Sequence, residues 1–520
     1  MIRVRVQSLL LACVALPAAI LAGCGGGGGS SPDVGPAAAV PASAALYLDA
    51  TVKPTGTARS DANAALSKIM KTPDPGAKII SLIEGQSKAD GHPINYQQDI
   101  APWLGQKAGV FFTSFGQTAQ HGAAVVETDN AAASLAFAQK ASGATATNPA
   151  PQTYKGASYQ TDPSSSPGPD QTVFGTVDNK YLIEGDLTAF KAAVDASEGD
   201  SLGDDGDFKD AIGGLPSDRL GTLYTVPKNF IDALGAQFGP QQQQQLEQVA
   251  GDSLDKPVAG ALTANADSIQ IDATGGSSGV DTPESSLIGD VPSQSWLALG
   301  IGNLGDTVKR TVDQLKDQIP NFDAIVQQIQ STTGSSLDQL EGSLGDSVLY
   351  VEGTTQSTLA GALIVHTNNA DLTGRLLSQL QGLLQLGGGT GGVKPLKLSG
   401  GGTGFQIDNR SVAPRPVEIA QQGDKLVIGY GAGSAEQSLT PAQKLSDSPT
   451  FSTAHSQVSS LGTDLFLAFP QVFSLAESSG AKSDPSYRQA KPYLDSLSYL
   501  VTGSGSKDDQ AEIKAVLGIK

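Results

Sequence analysis

The chain is poor in the residues that carry most enzyme chemistry. Its 520 residues include two cysteines, four histidines and two tryptophans, and aromatic residues make up only 5%. Both cysteines, Cys13 and Cys24, lie near the N-terminus. Whatever follows them must be held by its core, without internal disulfides. His92, His121, His366 and His455 are widely scattered. None lies three or four residues from another, the spacing that sets two ligands on one side of a helix, so no metal or other cofactor is expected. Basic residues are also scarce: 33 Lys and Arg stand against 52 Asp and Glu, a net charge of −19. An acidic body repels phosphate backbones, which argues against nucleic acid as a partner.

What is present begins with "MIRVRVQSLLLACVALPAAILAGC". Arg3 and Arg5 precede an apolar run, Leu9–Leu21, that is shorter than the roughly 20 residues of a membrane span. The layout is that of a secretory signal, residues 1–23. Its end, Leu21-Ala22-Gly23-Cys24, resembles the lipobox of bacterial lipoproteins. The resemblance implies cleavage after Gly23, a diacylglyceryl group on the Cys24 thiol, and palmitate-type acylation. The mature protein is then extracytoplasmic, an acidic cell-envelope protein whose membrane partner is reached through lipid on Cys24, firmly because two acyl chains hold where one is marginal. Residues 24–39 read as a Gly/Ser/Pro-rich tether. Counted from Gly25 to Val40, it has a reach of roughly 20–25 Å.

The body repeats itself. "VPASAALYLDA" at Val40 is written again as "VPSQSWLALGI" at Val291. In the same order "APWLGQKAGVFFTS" pairs with "EGSLGDSVLYVEG", "GAAVVETDN" with "GALIVHTNN", and "VDNKYLIEG" with "QGDKLVIGY". The period is a whole domain. Two tandem α+β domains are expected, 40–276 and 290–520, joined by a linker at 277–289. Strand segments separated by tight turns, Asp178-Asn179 and Gly423-Asp424 among them, predict a mainly antiparallel sheet in each. Asn130 and Asn369 are candidate helix caps. The stripes Leu372, Leu376, Leu380, Leu383 and Val308, Val312, Leu315, Ile319 predict helices docked on one face of each sheet.

"VPASAALYLDATVKPTG" followed by "DIAPWLG" at Asp99 resembles an uncharacterised bacterial family, domain of unknown function 3352 type, of secreted and lipoprotein chains common in actinobacteria. Ser43 stands where that family often has Asp. The resemblance implies architecture and location and no catalytic residue.

Motifs with chemistry are weak. Gly275–Gly279 fits G-x-S-x-G, but no helix follows to hold the serine. "LGGGTGG" at Leu386 and "LSGGGTG" at Leu398 lack the Lys-Ser/Thr and the helix of a phosphate loop. "EGDSLGDDGDFKD" at Glu198 lacks calcium-loop spacing, and "QQQQQLEQVA" at Gln241 reads as the exposed side of a helix. The polar positions common to both halves are Thr128/Thr367, Asn130/Asn369, Lys180/Lys425, Asp204/Asp447 and Thr222/Thr463, which suit caps and turns. The expectation is a lipoprotein that is not an enzyme and binds an apolar ligand, a glycan or an envelope protein. The alternative is a structural or assembly scaffold.

Overall fold

The computed structural model describes residues 34–89, 91–116, 120–168, 170–234, 254–276, 285–316, 319, 321–386, 392–411, 413–507 and 510–520. The signal segment, Cys24 and most of the tether and linker lie outside these residues. The chain is mixed α/β and divides into two compact units, one to Gly279 with Lys507–Glu512, the other Val280–Ser506 with Ile513–Lys520.

Unit 1 runs β1 (Leu46–Thr51), α1 (Gly56–Met70), α2 (Pro75–Ala89), β2 (Leu104–Phe115), β3 (Gln120–Thr128), α3 (Ala131–Ser142), β4 (Gln152–Tyr154), β5 (Ala157–Thr161), β6 (Thr172–Val177), β7 (Tyr181–Asp186), α4 (Leu187–Ser197), α5 (Gly206–Gly213), β8 (Gly221–Thr225), α6 (Pro227–Leu234), β9 (Val258–Asn265) and β10 (Ser268–Gly275). Its antiparallel ladder is β4-β5-β6-β7-β3-β2-β1-β8-β9-β10.

Unit 2 runs β11 (Leu297–Ile301), α7 (Leu304–Leu315), α8 (Phe322–Thr333), α9 (Leu337–Gly342), β12 (Leu344–Glu352), β13 (Ala360–Thr367), α10 (Ala370–Leu386), β14 (Val393–Pro395), β15 (Thr403–Ile407), β16 (Val417–Gln422), β17 (Lys425–Tyr430), α11 (Ser434–Leu439), α12 (Pro449–Val458), β18 (Leu465–Ala468), α13 (Phe469–Ser478), α14 (Pro485–Leu494), β19 (Leu497–Lys507) and β20 (Gln510–Ile519). Its order is β14-β15-β16-β17-β13-β12-β11-β18-β19-β20. The two orders coincide strand for strand.

Local chemistry recurs with the order. Asn130 accepts from the Ala133 amide at 3.1 Å and Asn369 from Leu372 at 3.0 Å, each capping the helix after β3 or β13. The Thr128 and Thr367 hydroxyls accept from the next-but-one amide at 3.1 and 3.2 Å. Leu202 N donates to Val40 O and Leu445 N to Val291 O, both at 2.7 Å. Both second strands are bulged just after a Leu-Gly pair. A Cβ at Gly105 would meet the Glu127 Cβ at 2.5 Å, and one at Gly345 the His366 carbonyl at 2.7 Å, so only glycine fits there.

The first face of each sheet carries a filled core. In unit 1, Tyr47, Phe111, Val125 and Ile183 pack under Phe190 and Val194 of α4 and Phe208 of α5. Phe208 lies edge-on to Tyr47 and Tyr224, with centroids 5.9 and 5.0 Å apart. In unit 2, Ala298, Tyr350, Ile364 and Val427 pack with Ala435 of α11 and Phe451 of α12.

Two expectations are corrected. Helices lie on both faces of each sheet. Ala138 of α3 packs on the second face of unit 1, and Gln421 Nε2, on the second face of unit 2, donates to Ala370 O of α10 at 2.8 Å. The strands are apolar on both sides, so one-sided cover would leave a greasy surface. The boundaries also shift. Gly35–Ala39 is a 3-10 turn with Gly35, Pro36, Ala37 and Ala39 buried, so folded structure begins before Val40. Leu287 and Ile288 are buried in the unit 2 core, so part of the expected linker is core.

Candidate functional site

Residues directly opposite one another in antiparallel strands project from the same face. On the second face of unit 2 this places Leu465, Leu299, Leu349, Leu363, Ile428, Ile419 and Phe405 in one row across seven strands. A parallel row holds Leu467, Leu297, Val351, Tyr430, Val417 and Ile407. Phe405 is buried, Leu299, Leu363, Ile419 and Leu465 are half-buried, and Leu349 and Ile428 are 38% and 41% exposed. Helix α10 packs on β14–β16, while α7 and α9 pack on β12. The expected α10 stripe begins buried, at Leu372, and ends exposed, at Leu380 and Leu383. Of the other stripe, Val308 and Val312 are half-buried and Ile319 is exposed beyond α7; the Leu315 side chain lies outside the description. A concavity of about 780 Å³ at the α7–α8 corner, beside Ile319 and Phe322, lies off the row.

The matching row in unit 1 is Leu223, Leu48, Val110, Ala124, Glu184, Phe174 and Gln160. Here Val110 and Ala124 are buried at 9% and 8% exposure, where Leu349 is open and Leu363 half-buried. Glu184 stands in the place of Ile428. Burial pushes its carboxyl up to about 8, and the Asp162 charge adds to this. Among the described residues no hydrogen bond or ion pair reaches it.

A polar cluster sits on the first face of unit 1, beneath Gly35. Tyr47 Oη donates to Asp49 at 3.1 Å, the Lys107 amide to Glu127 at 2.7 Å, Arg219 Nε to Thr222 Oγ1 at 3.1 Å, and Tyr181 Oη to Gly35 O at 3.1 Å. Burial pushes the Asp49 carboxyl up, opposed by Lys107, Thr222, Tyr47 and Arg219. These side chains are engaged with one another, and Gly300 and Ala298 hold the places of Asp49 and Tyr47 in unit 2. The cluster fastens the N-terminal turn to the sheet.

The residues singled out from the sequence do not converge. His92 is exposed. His121 Nδ1 lies 3.1 Å from Asp186, His366 Nε2 2.5 Å from Asp424, and His455 Nδ1 2.7 Å from Thr463 Oγ1. In the acidic run, Asp204 accepts from Ser201 and Asp205 caps α5 at Phe208 N, 2.8 Å. Asp447 accepts from Lys444 N at 3.0 Å. Lys180 and Lys425 are one place out of step: Tyr181 pairs with Val177 across a longer turn, and Lys425 pairs with Gln422. Gly275 ends β10 and Gly276 follows it, and Ser277 and the rest of that motif lie outside the described residues, as do "GGGTG" at Gly387 and the glutamine run. The "LSGGGTG" stretch leads into β15, with Ser399 bonded to Glu436. Sequence reasoning missed the open row; its signal was the unbroken apolar runs "GALIV" and "LVI", which ask for cover on both sides.

A comparison with curated proteins found no match. Two solved structures are similar over most of the chain at 11% identity. Crystal form I of TP0453 aligns with 79% of this chain and 98% of its own, with a TM-score of 0.16. Crystal form IV of TP0453 aligns with 78% and 94%, with a TM-score of 0.15. Neither score reaches the level at which a shared fold follows. The profile described as "Protein of unknown function (DUF3352)" matches residues 9–517, and the chain therefore belongs to that family.

Proposed function

We propose that the two units are tandem copies of one α+β domain, and that the protein is a lipid-anchored, extracytoplasmic binding protein without catalysis. Its ligand is an acyl chain of a lipid, held on the open sheet face of unit 2. The observation that carries this reading is the row from Leu465 to Phe405: seven apolar side chains in register, open at Leu349 and Ile428. A glycan needs hydrogen-bonding groups that this row lacks. The Cys24 lipobox supplies the anchor.

Titration with an anthroyloxy-labelled fatty acid tests it. Wild-type protein is expected to bind saturably. Ile428→Glu removes about 1.5–3 kcal/mol of apolar contact, a loss of about tenfold or more in affinity. Absence of saturable binding, or unchanged binding by the variant, overturns the reading. The scaffold alternative is favoured by the filled first-face cores. It predicts a stable protein partner on envelope crosslinking and no acyl binding.

A further inference from the structure

Each unit sends a pair of helices off the sheet between its first and second strands, α1–α2 in unit 1 and α7–α8 in unit 2. In unit 1 the pair is seated. α1 packs on β9 and on α2. Its Ala62 and Ala65 are buried, and Ala62 clusters with Leu220, Ala58 and Ala264. α2 buries Pro75, Gly76, Ile79 and Ser87. Two side chains of α2 hold the segment that follows it: Glu84 Oε1 accepts from Tyr96 N at 2.8 Å, and Ser87 Oγ from Ile94 N at 3.1 Å.

Unit 2 lacks the seat. The pairs Leu223–Gly260 and Leu465–Thr502 hold the same place in the two ladders. Counted onward along the strand, Leu262 and Ala264 of β9 correspond to Ser504 and Ser506 of β19. Burying those hydroxyls under an apolar helix would cost free energy. α7 packs instead on α9 and β12, and α8 packs on α9. α8 buries no side chain, and its Ile325 is 45% exposed. In α7 the buried residue among those described is Gly305, where a Cβ would clash with the Glu341 and Leu344 carbonyls. Past this root, Lys309 lies 3.0 Å from Asp338 and 3.7 Å from Glu341. Lys309 and Asp338 are 51% and 83% exposed, so their pairing holds weakly. Both helices start from asparagines in the left-handed region, Asn303 at φ 47° and Asn321 at φ 59°, and neither side chain caps its helix.

We infer that α7 beyond its first turn and α8 form a flap that lifts from unit 2 on a hinge at Gly305 while the sheet beneath stays folded, and that α1–α2 stays shut. A segment with little buried apolar surface opens at a free energy well below that of its domain. Lifting bares the part of β12 that α7 covers, so the flap sets how much of that strand meets solvent.

Hydrogen exchange of the full chain, read by mass spectrometry, tests it. After correction for intrinsic rates, amides of α8 are expected to exchange about 100-fold faster than those of α1 and α2, with β12 and β13 still protected. Limited digestion with trypsin is expected to cut at Arg310 and Lys316 before Arg59 and Lys68. Gly305→Ala is expected to speed exchange in α7 and α8 further and to leave β13 unchanged. Protection of α8 equal to that of α1, or first cleavage in α1, overturns the flap. Loss of protection in β13 together with α8, or no change of exchange in Gly305→Ala, overturns the hinge.

Discussion

Glu184 offers a sharp test of how the sheet faces are built. Its carboxyl stands in an apolar row between Ala124 and Phe174, and burial raises it from 4.5 to about 8. A group whose folded-state pKa is raised binds a proton more tightly in the folded chain. Its contribution is therefore whole below about pH 4.5 and is lost as pH climbs toward 8. Each pH unit in that window costs about 1.4 kcal/mol, up to about 5 kcal/mol across it. Glu184 is half-buried, and its residual contact with water lowers the expected loss to about 2–4 kcal/mol. Glu184→Gln removes the titration and keeps the shape. Urea unfolding of unit 1 at pH 5 and at pH 9 is the assay. Wild-type protein should lose that amount between the two values relative to the variant. Equal losses in both chains would refute the argument that the row is desolvated at this strand.

Two further outcomes follow from named contacts. Asp186 caps α4 at Ala189 N, 3.0 Å, and also accepts from Gly122 N at 2.8 Å, so Asp186→Ala should destabilise unit 1 by about 2–3 kcal/mol, read as a shift in urea midpoint. If the proposed lipid sits on Cys24, Cys24→Ser should move the protein from the detergent to the aqueous phase on partitioning; a variant that stays in the detergent phase refutes the proposed anchor.

Much of the ladder was legible because strand and turn chemistry are local. Asp178 and Asn179 take left-handed φ of 53° at the β6–β7 turn, and Gly423 takes 59° at the β16–β17 turn, as those residue types permit. The matched openings at Val40 and Val291 end in matched hydrogen bonds because the same local sequence meets the same later leucine. The faces were harder to read. Alternation within one strand says which residues lie together but not what covers them, and cover comes from residues distant in sequence. Hence Leu349 and Val110, alike in pattern, differ in exposure. The departure at Trp103 was visible as Trp-Leu-Gly against Ser-Leu-Gly, yet only packing reveals that the ring is buried among Leu104, Val126, Leu182 and Ala138.

The turn Gly35–Ala39 gives the N-terminus a mechanical meaning. Ala37 O accepts from Gly203 N at 2.9 Å and Val40 O from Leu202 N at 2.7 Å, so this short piece is stitched to the sheet-and-helix body from behind. The first described residues are therefore held by the body instead of fraying from it. A pull on the chain ahead of the turn is thus shared by these two hydrogen bonds and by the packing of Gly35, Pro36, Ala37 and Ala39, and the turn acts as a strain relief where a cord meets its housing.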